Sequence, residues 1–380
     1  MIDQAALAGA PVAILYQALP PPVIGGLRKD AKPGGYSDSG ADIGFALAGA
    51  GVPVLTPVRD PDPSRNLDWV FPDTPQGIAE ATGSGAAVLW ANTVLFEGHP
   101  LELVLGERFV VGHRPDAVQR ADDKFLTNLR LREAGLPVAR SMLAAHEARD
   151  GIAAVAEIDA ALLARAGLAL PLVVKPVRGR GSQGVTVVRS LAALHAAARD
   201  LLAAATFGDI VMIEEFLPGE ELTVAVLPAG MPGPDGRHAQ EAWCLPPVRR
   251  FDHHDDVAPY NGLVAVTRNS AALTAREAVQ PAVAAVMAAC AAATAVVDAR
   301  TIIRIDCRAG ADGRYRLFDL NMKPNLTGAG RPGREDQDSL CTIAAQAAGW
   351  TYADLLGAML TGAWRERDGL VERLGVTGGC

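Results

Sequence analysis

Short apolar runs alternate with helix-like stretches over about the first hundred residues of the chain. Val12–Tyr16, Val52–Leu55 and Ala86–Trp90 read as buried strands, and Ser39–Ala50 reads as a helix between two of them. That alternation predicts an α/β unit with a parallel sheet. From Ala121 a helical period sets Phe125, Leu126 and Leu129 on one side, and it stops at Gly135 with Pro137 beyond, as helix ends commonly do. A second lobe is expected from there, with strands Leu172–Pro176 and Val185–Val188 and an Ala/Leu-rich helix over Leu191–Ala205. A third lobe is expected to open with Ile210–Ile213. Within it, Pro228–Gly236 reads as an exposed turn and Phe251–Gly262 as a longer loop. The expected divisions are residues 1–118, 119–208 and 209–380.

One apolar segment needs weighing against a membrane. Ala278–Val297 carries no charge, but it is mostly alanine, holds Gln280 and Pro281, and leads directly into strand-like sequence. A buried helix is the expectation, with no membrane partner. At 380 residues, with 49% apolar and 21% charged positions, the chain can build more than one ordered core. Its net charge of -8 argues against general nucleic-acid binding, which needs clustered Lys and Arg. Cys244, Cys290, Cys307, Cys341 and Cys380 form no CxxC pair, so neither a zinc ribbon nor a disulfide framework is expected. The N-terminus shows no basic start followed by an apolar run and cleavage site, and a reducing cytoplasm is the expected compartment.

Three segments can carry chemistry. In residues 172–188 a strand ends at Lys175 and a glycine-rich turn precedes the next strand. Gly179, Gly181 and Gly184 let backbone N–H groups approach phosphate oxygens, while Lys175, Arg178, Arg180 and Ser182 can supply charge and further donors. Taken alone, such a segment is more commonly a hairpin with solvated arginines. In residues 304–328, Asp312-Gly313 is a dipeptide that closes a two-residue hairpin. Pairing Ala311 with Arg314 puts Asp306 opposite Asp319 and Arg304 opposite Asn321, all on one face. Ile303, Ile305, Cys307, Phe318, Leu320 and Met322 then share the other face. Two facing carboxylates repel unless a cation lies between them. Oxygen ligands from Asp306, Asp319 and Asn321 suit magnesium, with manganese an alternative. Arg304 neutralising a merely solvated face is the competing explanation.

Between these, residues 211–227 combine an apolar strand, two acids, a Leu-Pro-Gly turn and an alternating strand. Glu214 can accept from an adenine amino group, the backbone around Glu215, Phe216 and Leu217 can pair with ring nitrogens, and Glu221 can accept from ribose hydroxyls. Two further clusters are weaker. Asp252-His253-His254-Asp255-Asp256 has too many adjacent ligands to fold around one ion and reads better as a specificity loop, with Tyr260 and Asn261 in it. Glu97-Gly98-His99 can line a first-lobe pocket or simply be solvated.

Taken in order, Lys124 in ADDK, Lys175 in VVKP with its glycine flap, the Glu214–Glu221 segment, and Arg304-Ile305-Asp306 followed by Asp319-Leu320-Asn321 resemble the ATP-grasp superfamily. Within it the chain resembles the D-alanine:D-alanine ligase-like enzymes, over roughly residues 84 to 360. The resemblance implies an ATP-grasp fold with ATP between the central and C-terminal lobes, contacted by Lys124 and Lys175, roofed by Gly179–Gly184, and held by Glu214–Leu217 and Glu221. It implies magnesium at Asp306, Asp319 and Asn321, and ADP-forming ligation of a small carboxylate to a small amine through an acyl phosphate. Arg304, Ser182 and Ser339 would be the catalytic groups, Ser339 holding the carboxylate of the second substrate. It also implies a homodimer formed through the N-terminal lobe.

The chain departs from the family pattern in four places. Asp319 stands where the family has Glu, Asn325 stands where it has Gly, and Lys323 adds a cation suited to an acidic or phosphorylated second substrate. Gly34-Gly35-Tyr36-Ser37 lacks the glutamate that holds the first D-alanine, so a substrate other than D-alanine is expected. An ATP-grasp carboxylase or kinase-like enzyme, and a non-catalytic nucleotide-binding protein, are the alternatives carried forward.

Overall fold

Val12, Ala13, Ile14 and Leu15 are all fully buried, as a strand covered on both faces must be. They form the centre of a parallel sheet in a computed structural model that describes residues 9–233, 236–253, 255–256 and 266–366. Its strands are β1 (Val12–Tyr16), β2 (Val54–Leu55), β3 (Phe71–Pro72), β4 (Val88–Asn92) and β5 (Phe109–Val111), in the order β2-β1-β4-β5 with β3 also beside β1. Helix α1 (Ser37–Gly49) buries Ala41, Ile43 and Leu47 with Val12, Ile14, Val88 and Trp90 on one face. Helices α2 (Pro75–Gly83) and α3 (Pro115–Asp122) cover the other, with Ile78, Ala81, Ala117 and Val118 against Ala13, Leu15 and Leu89. Helix α4 (Lys124–Glu133) follows directly. Its buried positions are Thr127, Asn128 and Leu131 rather than the expected apolar side; Leu126 is exposed, and Phe125 is only partly buried against Leu27, Val177 and Met212.

The second sheet holds β6 (Ser141–Ala145), β7 (Ile152–Ala154), β8 (Leu172–Pro176), β9 (Thr186–Val188) and β10 (Ile210–Glu215), ordered β7-β6-β10-β8-β9. Strand β10, expected from the sequence to open the third lobe, is the middle strand here, antiparallel to both β6 and β8. A central strand and an opening strand read alike when both are uniformly apolar. Helices α5 (Ala160–Arg165) and α6 (Leu191–Ala204) complete this lobe. Leu194, Ala198 and Leu202 of α6 pack on Leu172, Val174, Val211 and Ile213. Alternation then turns Val173, Lys175 and Glu214 to the opposite face, where they line a cleft.

The third sheet contains β11 (Glu221–Leu227), β12 (Trp243–Cys244), β13 (Val248–Arg250), β14 (Ser270–Ala272), β15 (Ile303–Ala309) and β16 (Tyr315–Asn321), ordered β14-β13-β11-β15-β16 with β12 also on β11. Helices α7 (Ala275–Ala278) and α8 (Pro281–Val296) follow β14. The expected buried alanine-rich helix is α8, whose Val283, Val286, Ala289 and Cys290 pack with Leu222, Val224, Ile303 and Ile305. No helix among the described residues is long and apolar enough to cross a membrane. Helices α9 (Leu340–Ala347) and α10 (Tyr352–Thr361) return to the first sheet. Trp364 closes that return with paired backbone bonds to Val110, at 2.7 and 3.0 Å. The Pro228–Gly236 turn is only partly exposed, since Pro228 and Met231 are buried.

The β15–β16 register carries the expected pairs, Arg304 with Asn321 and Asp306 with Asp319. It reaches them differently. The turn is closed by Gly310 and Arg314, with Gly313 at φ 72°, so Ala311–Gly313 form a three-residue loop. A bulge between Asp306 and Cys307 then absorbs one residue, Cys307 pairing with Leu317. The bulged residue is Phe318, and it lines the cleft instead of joining the apolar face.

Candidate active site

A cleft of about 610 Å³ lies between the second and third sheets. From the second sheet, Lys175 Nζ donates to Glu214 Oε2 at 2.6 Å and to the Phe318 carbonyl at 3.2 Å. Glu214 also accepts from Asn128 Nδ2 at 3.3 Å. Burial pushes the Glu214 carboxyl above its ordinary range despite the attraction of Lys175. Lys175 and Glu214 therefore form one wall, and Glu214 is engaged with Lys175 before any nucleotide arrives. Lys124 starts α4 and pairs with Asp319 across the cleft.

On the third sheet, Asp306 is 1% exposed and accepts from Thr223 Oγ1 at 2.8 Å and Arg304 Nη2 at 2.9 Å. Burial raises its pKa, opposed by Arg304 and reinforced by the Asp319 and Glu221 charges. Burial acts the same way on Asp319, but Lys124 and Lys175 outweigh it and hold that carboxyl below its usual range. The two facing carboxylates thus differ in proton affinity, Asp319 being the more acidic because Lys124 and Lys175 act on it. The Asn321 Nδ2 has no hydrogen-bond partner among the described residues, so this amide is not committed elsewhere. Among the described residues no three His, Cys, Asp or Glu side chains converge. The donor set is two carboxylates and one amide oxygen, which fits a hard cation completed by phosphate oxygens and water.

The flap spans the cleft mouth, with Gly181, Ser182 and Gly184 all at positive φ. Of its arginines only Arg180 lines the cleft, and both are engaged with carbonyls of the first lobe. Arg178 is 3% exposed, binds Asp122, and donates to the carbonyls of Pro22 and Leu27 at 2.8 and 3.0 Å. Arg180 donates to the carbonyls of Asp30 and Ala31 at 3.2 and 2.8 Å. Both tie the flap to the first lobe. Glu215, Phe216, Leu217 and Glu221 line the far end. Glu221 is 3% exposed and lies 2.9 Å from His253 Nε2, which links the expected specificity loop to this end. His254, Tyr260, Asn261 and Cys380 lie outside the described residues. Ser339 lines the opposite end, capping α9 through Thr342 N at 3.2 Å.

Residues 131–361, more than half of the chain, match the family model described as D-ala D-ala ligase C-terminus. The chain belongs to the D-Ala-D-Ala ligase family. It is 30% identical over 213 residues to the D-alanine–D-alanine ligase of Gloeobacter violaceus, covering 56% of this chain and 61% of that enzyme. It is 29% identical over 238 residues to that of Actinobacillus succinogenes, covering 63% and 66%. The match therefore spans less than two thirds of either relative. The structure of the Coxiella burnetii D-alanine–D-alanine ligase is similar at a TM-score of 0.61 and 14% identity, over 93% of each chain. That likeness establishes the fold, the ATP-grasp architecture.

Residues of this family member that the motifs did not announce come from the first lobe. Lys32, Tyr36 and Asp38 line the cleft beside Ser339. Lys32 and Asp38 flank the turn Pro33–Tyr36, which needs glycine because a Cβ on Gly35 would stand 1.9 Å from the Gln17 carbonyl oxygen. Lys323 faces them, its Nζ 4.1 Å from the Tyr36 ring centre. Burial, then the Lys32 charge, lowers its pKa to about 7. His99 neither lines the cleft nor is solvated: it is 1% exposed, 3.2 Å from Asp73, and accepts from Leu101 N at 3.1 Å.

Proposed function

We propose that the protein is an ATP-dependent carboxylate–amine ligase that releases ADP and phosphate. The observation that carries this reading is the Asp306–Asp319 carboxylate pair facing Lys124 and Lys175 across one cleft. Cations on one wall and paired acids on the other suit a polyphosphate with its bound metal. ATP lies between the second and third sheets, its phosphates under the Gly179–Gly184 flap and its base against Glu215, Phe216 and Leu217. Asp306, Asp319 and Asn321 would hold magnesium, which when bound would supply neutralisation of negative charge on the phosphates. Lys124 and Lys175 orient the terminal phosphoryl group for attack by the substrate carboxylate. That attack forms an acyl phosphate and ADP. The amine then adds to the acyl carbon, and phosphate leaves. Arg304 and the flap amides, with Ser182, stabilise the oxyanions, and Ser339 receives the carboxylate of the second substrate. The Gly34–Ser37 turn carries no glutamate beside the cleft, which supports a substrate pair other than two D-alanines.

The test is ADP and phosphate release from the protein with magnesium and ATP, across amino acids and small carboxylates singly and in pairs. Release that requires a pair, with a condensed product in the mass spectrum, is the expected outcome. Release with one acid alone indicates a kinase or carboxylase and overturns the ligase reading.

A further inference from the structure

At the first-lobe end of the cleft one lysine amine has no carboxylate within ion-pair distance among the described residues. Lys323 lines the cleft on the segment just beyond β16. Among the described residues its one hydrogen bond is to the Pro324 carbonyl, at 3.4 Å, which is long for a charged donor. The other charges nearby have hydrogen-bond partners, those of Asp338 being neutral donors. Lys32, 4.7 Å over the same Tyr36 ring, is held by Asp38 at 2.8 and 3.0 Å. Asp338 accepts from Ala329 N and Gln346 Nε2, each at 2.8 Å. Arg304 is engaged with Asp306. Asn325 donates to Thr327 Oγ1 at 3.1 Å, while its buried Oδ1 has no partner among the described residues.

A partly buried ammonium with no counter-ion is unfavourable, and so is a buried acceptor with no donor. Both conditions are met in one lining, and both are relieved by a ligand carrying an anionic group and an N–H. The lining sets the class of anion. One lysine ammonium, with Asp336 and Asp338 in the same lining, suits a singly charged carboxylate, whereas a phosphate monoester at near two negative charges calls for a cluster of arginines. The Tyr36 face holds both ammonium groups by cation–π attraction, so Lys323 is positioned before the ligand arrives.

We propose that Lys323, seated on Tyr36, is a specificity-determining residue selecting an amino-acid substrate with a second carboxylate on its side chain. This assignment rests on the ligase reading for the word substrate, but the binding it describes is measurable without turnover.

The experiment is calorimetric titration of protein loaded with magnesium and a non-hydrolysable ATP analogue, using D- and L-aspartate, D- and L-glutamate, the corresponding amides, and O-phosphoserine. One of the acids is expected to bind at least about tenfold more tightly than its amide. In Lys323→Met that ratio falls to near unity while the amides keep their wild-type affinity, and Lys323→Arg retains the preference. Lys323→Gln gives the same comparison should Met disturb the fold. Equal affinity for acid and amide, a preference that survives Lys323→Met, or no binding by any of the panel overturns the proposal. Tighter binding of phosphoserine than of every dicarboxylate overturns the choice of carboxylate. ADP release separates the two readings. Lys323-dependent acid binding without ADP release under any pairing sinks the ligase and leaves the recognition standing; ADP release with neutral substrates alone does the reverse.

Discussion

Lys175 and Glu214 meet at 2.6 Å as diagonal neighbours on the cleft face of β8 and β10, where Lys175 pairs with Met212 and Glu214 with Val173. At 5% and 3% exposure each is the other's main compensation for lost hydration. Through Asn128 and the Phe318 carbonyl the pair also joins α4 to the bulge of β16.

Glu214→Gln is therefore expected to destabilise the protein by about 3–5 kcal/mol, since it strands a buried ammonium. Lys175→Met should weaken binding of an ATP analogue by at least about tenfold. The double variant should recover much of the stability and none of the nucleotide affinity. Urea unfolding and analogue titration read the two effects separately, and an unshifted urea midpoint for Glu214→Gln would contradict the pairing argument.

The flap makes a sharper distinction between its glycines. Gly184 has φ +69°, and a Cβ there would meet Leu201, Pro176 and Phe207 at 3.0, 3.1 and 3.2 Å. Gly184→Ala should cost about 1–2 kcal/mol and raise the KM for ATP by displacing the flap. At Gly179 the nearest atom to an added Cβ is 3.5 Å away, an ordinary contact. Gly179→Ala should change stability by no more than about 0.5 kcal/mol. Equal losses at the two positions would show that flap flexibility, not local geometry, sets both.

The strands that were legible in the sequence are those whose apolar runs start after a proline, such as Val12–Tyr16 after Pro11 and Leu172–Pro176 after Pro171. The facing of Asp306 and Asp319 was legible too, though by two compensating differences. The turn holds one residue more than the Asp-Gly signal suggests, and the Phe318 bulge takes one back. Turn length and bulges depend on how the strands twist against their neighbours, which a pattern of two does not encode. Arg178 looked like a phosphate ligand because charge next to glycine carries no direction. Its actual partners, Asp122 and the carbonyls of Pro22 and Leu27, come from distant segments. Lys32 and Asp38 were invisible for the same reason: docking of the first lobe brings them to the cleft.

His113 gives a pH dependence of stability independent of activity. It is 3% exposed, and its Nδ1 accepts from Arg300 N at 3.1 Å, so protonation there breaks a bond. Burial lowers its pKa from 6.5 to about 4. The unfolded chain then takes up this proton more readily, and the native state is favoured fully above pH 6.5. That contribution is lost as pH falls from 6.5 towards 4, by on the order of 3 kcal/mol. His113→Gln should be less stable than wild type at pH 7.5 and should lose less on acidification. Parallel urea midpoints for the two proteins from pH 7.5 to 4.5 would show that His113 does not carry this linkage.

Asp306→Asn tests the assignment of the metal. The asparagine keeps the shape and can still accept from Thr223, so the hydrogen bond at 2.8 Å survives. What is lost is one negative charge beside Asp319. In the apo protein two consequences oppose each other: repulsion from Asp319 is relieved and attraction to Arg304 at 2.9 Å is weakened. Net stability should therefore move by only about 1 kcal/mol. In the loaded protein nothing opposes the loss, because the carboxylate's charge is what holds a divalent cation against the phosphates. Turnover should fall by about a hundredfold or more, and the magnesium concentration giving half-maximal rate should rise. Asp319→Asn differs in kind, since it also releases Lys124 from its partner, and it should weaken ATP binding as well as metal binding. A folded Asp306→Asn protein that turns over near the wild-type rate, at an unchanged magnesium requirement, would remove Asp306 from the metal site and leave its charge to Arg304 alone.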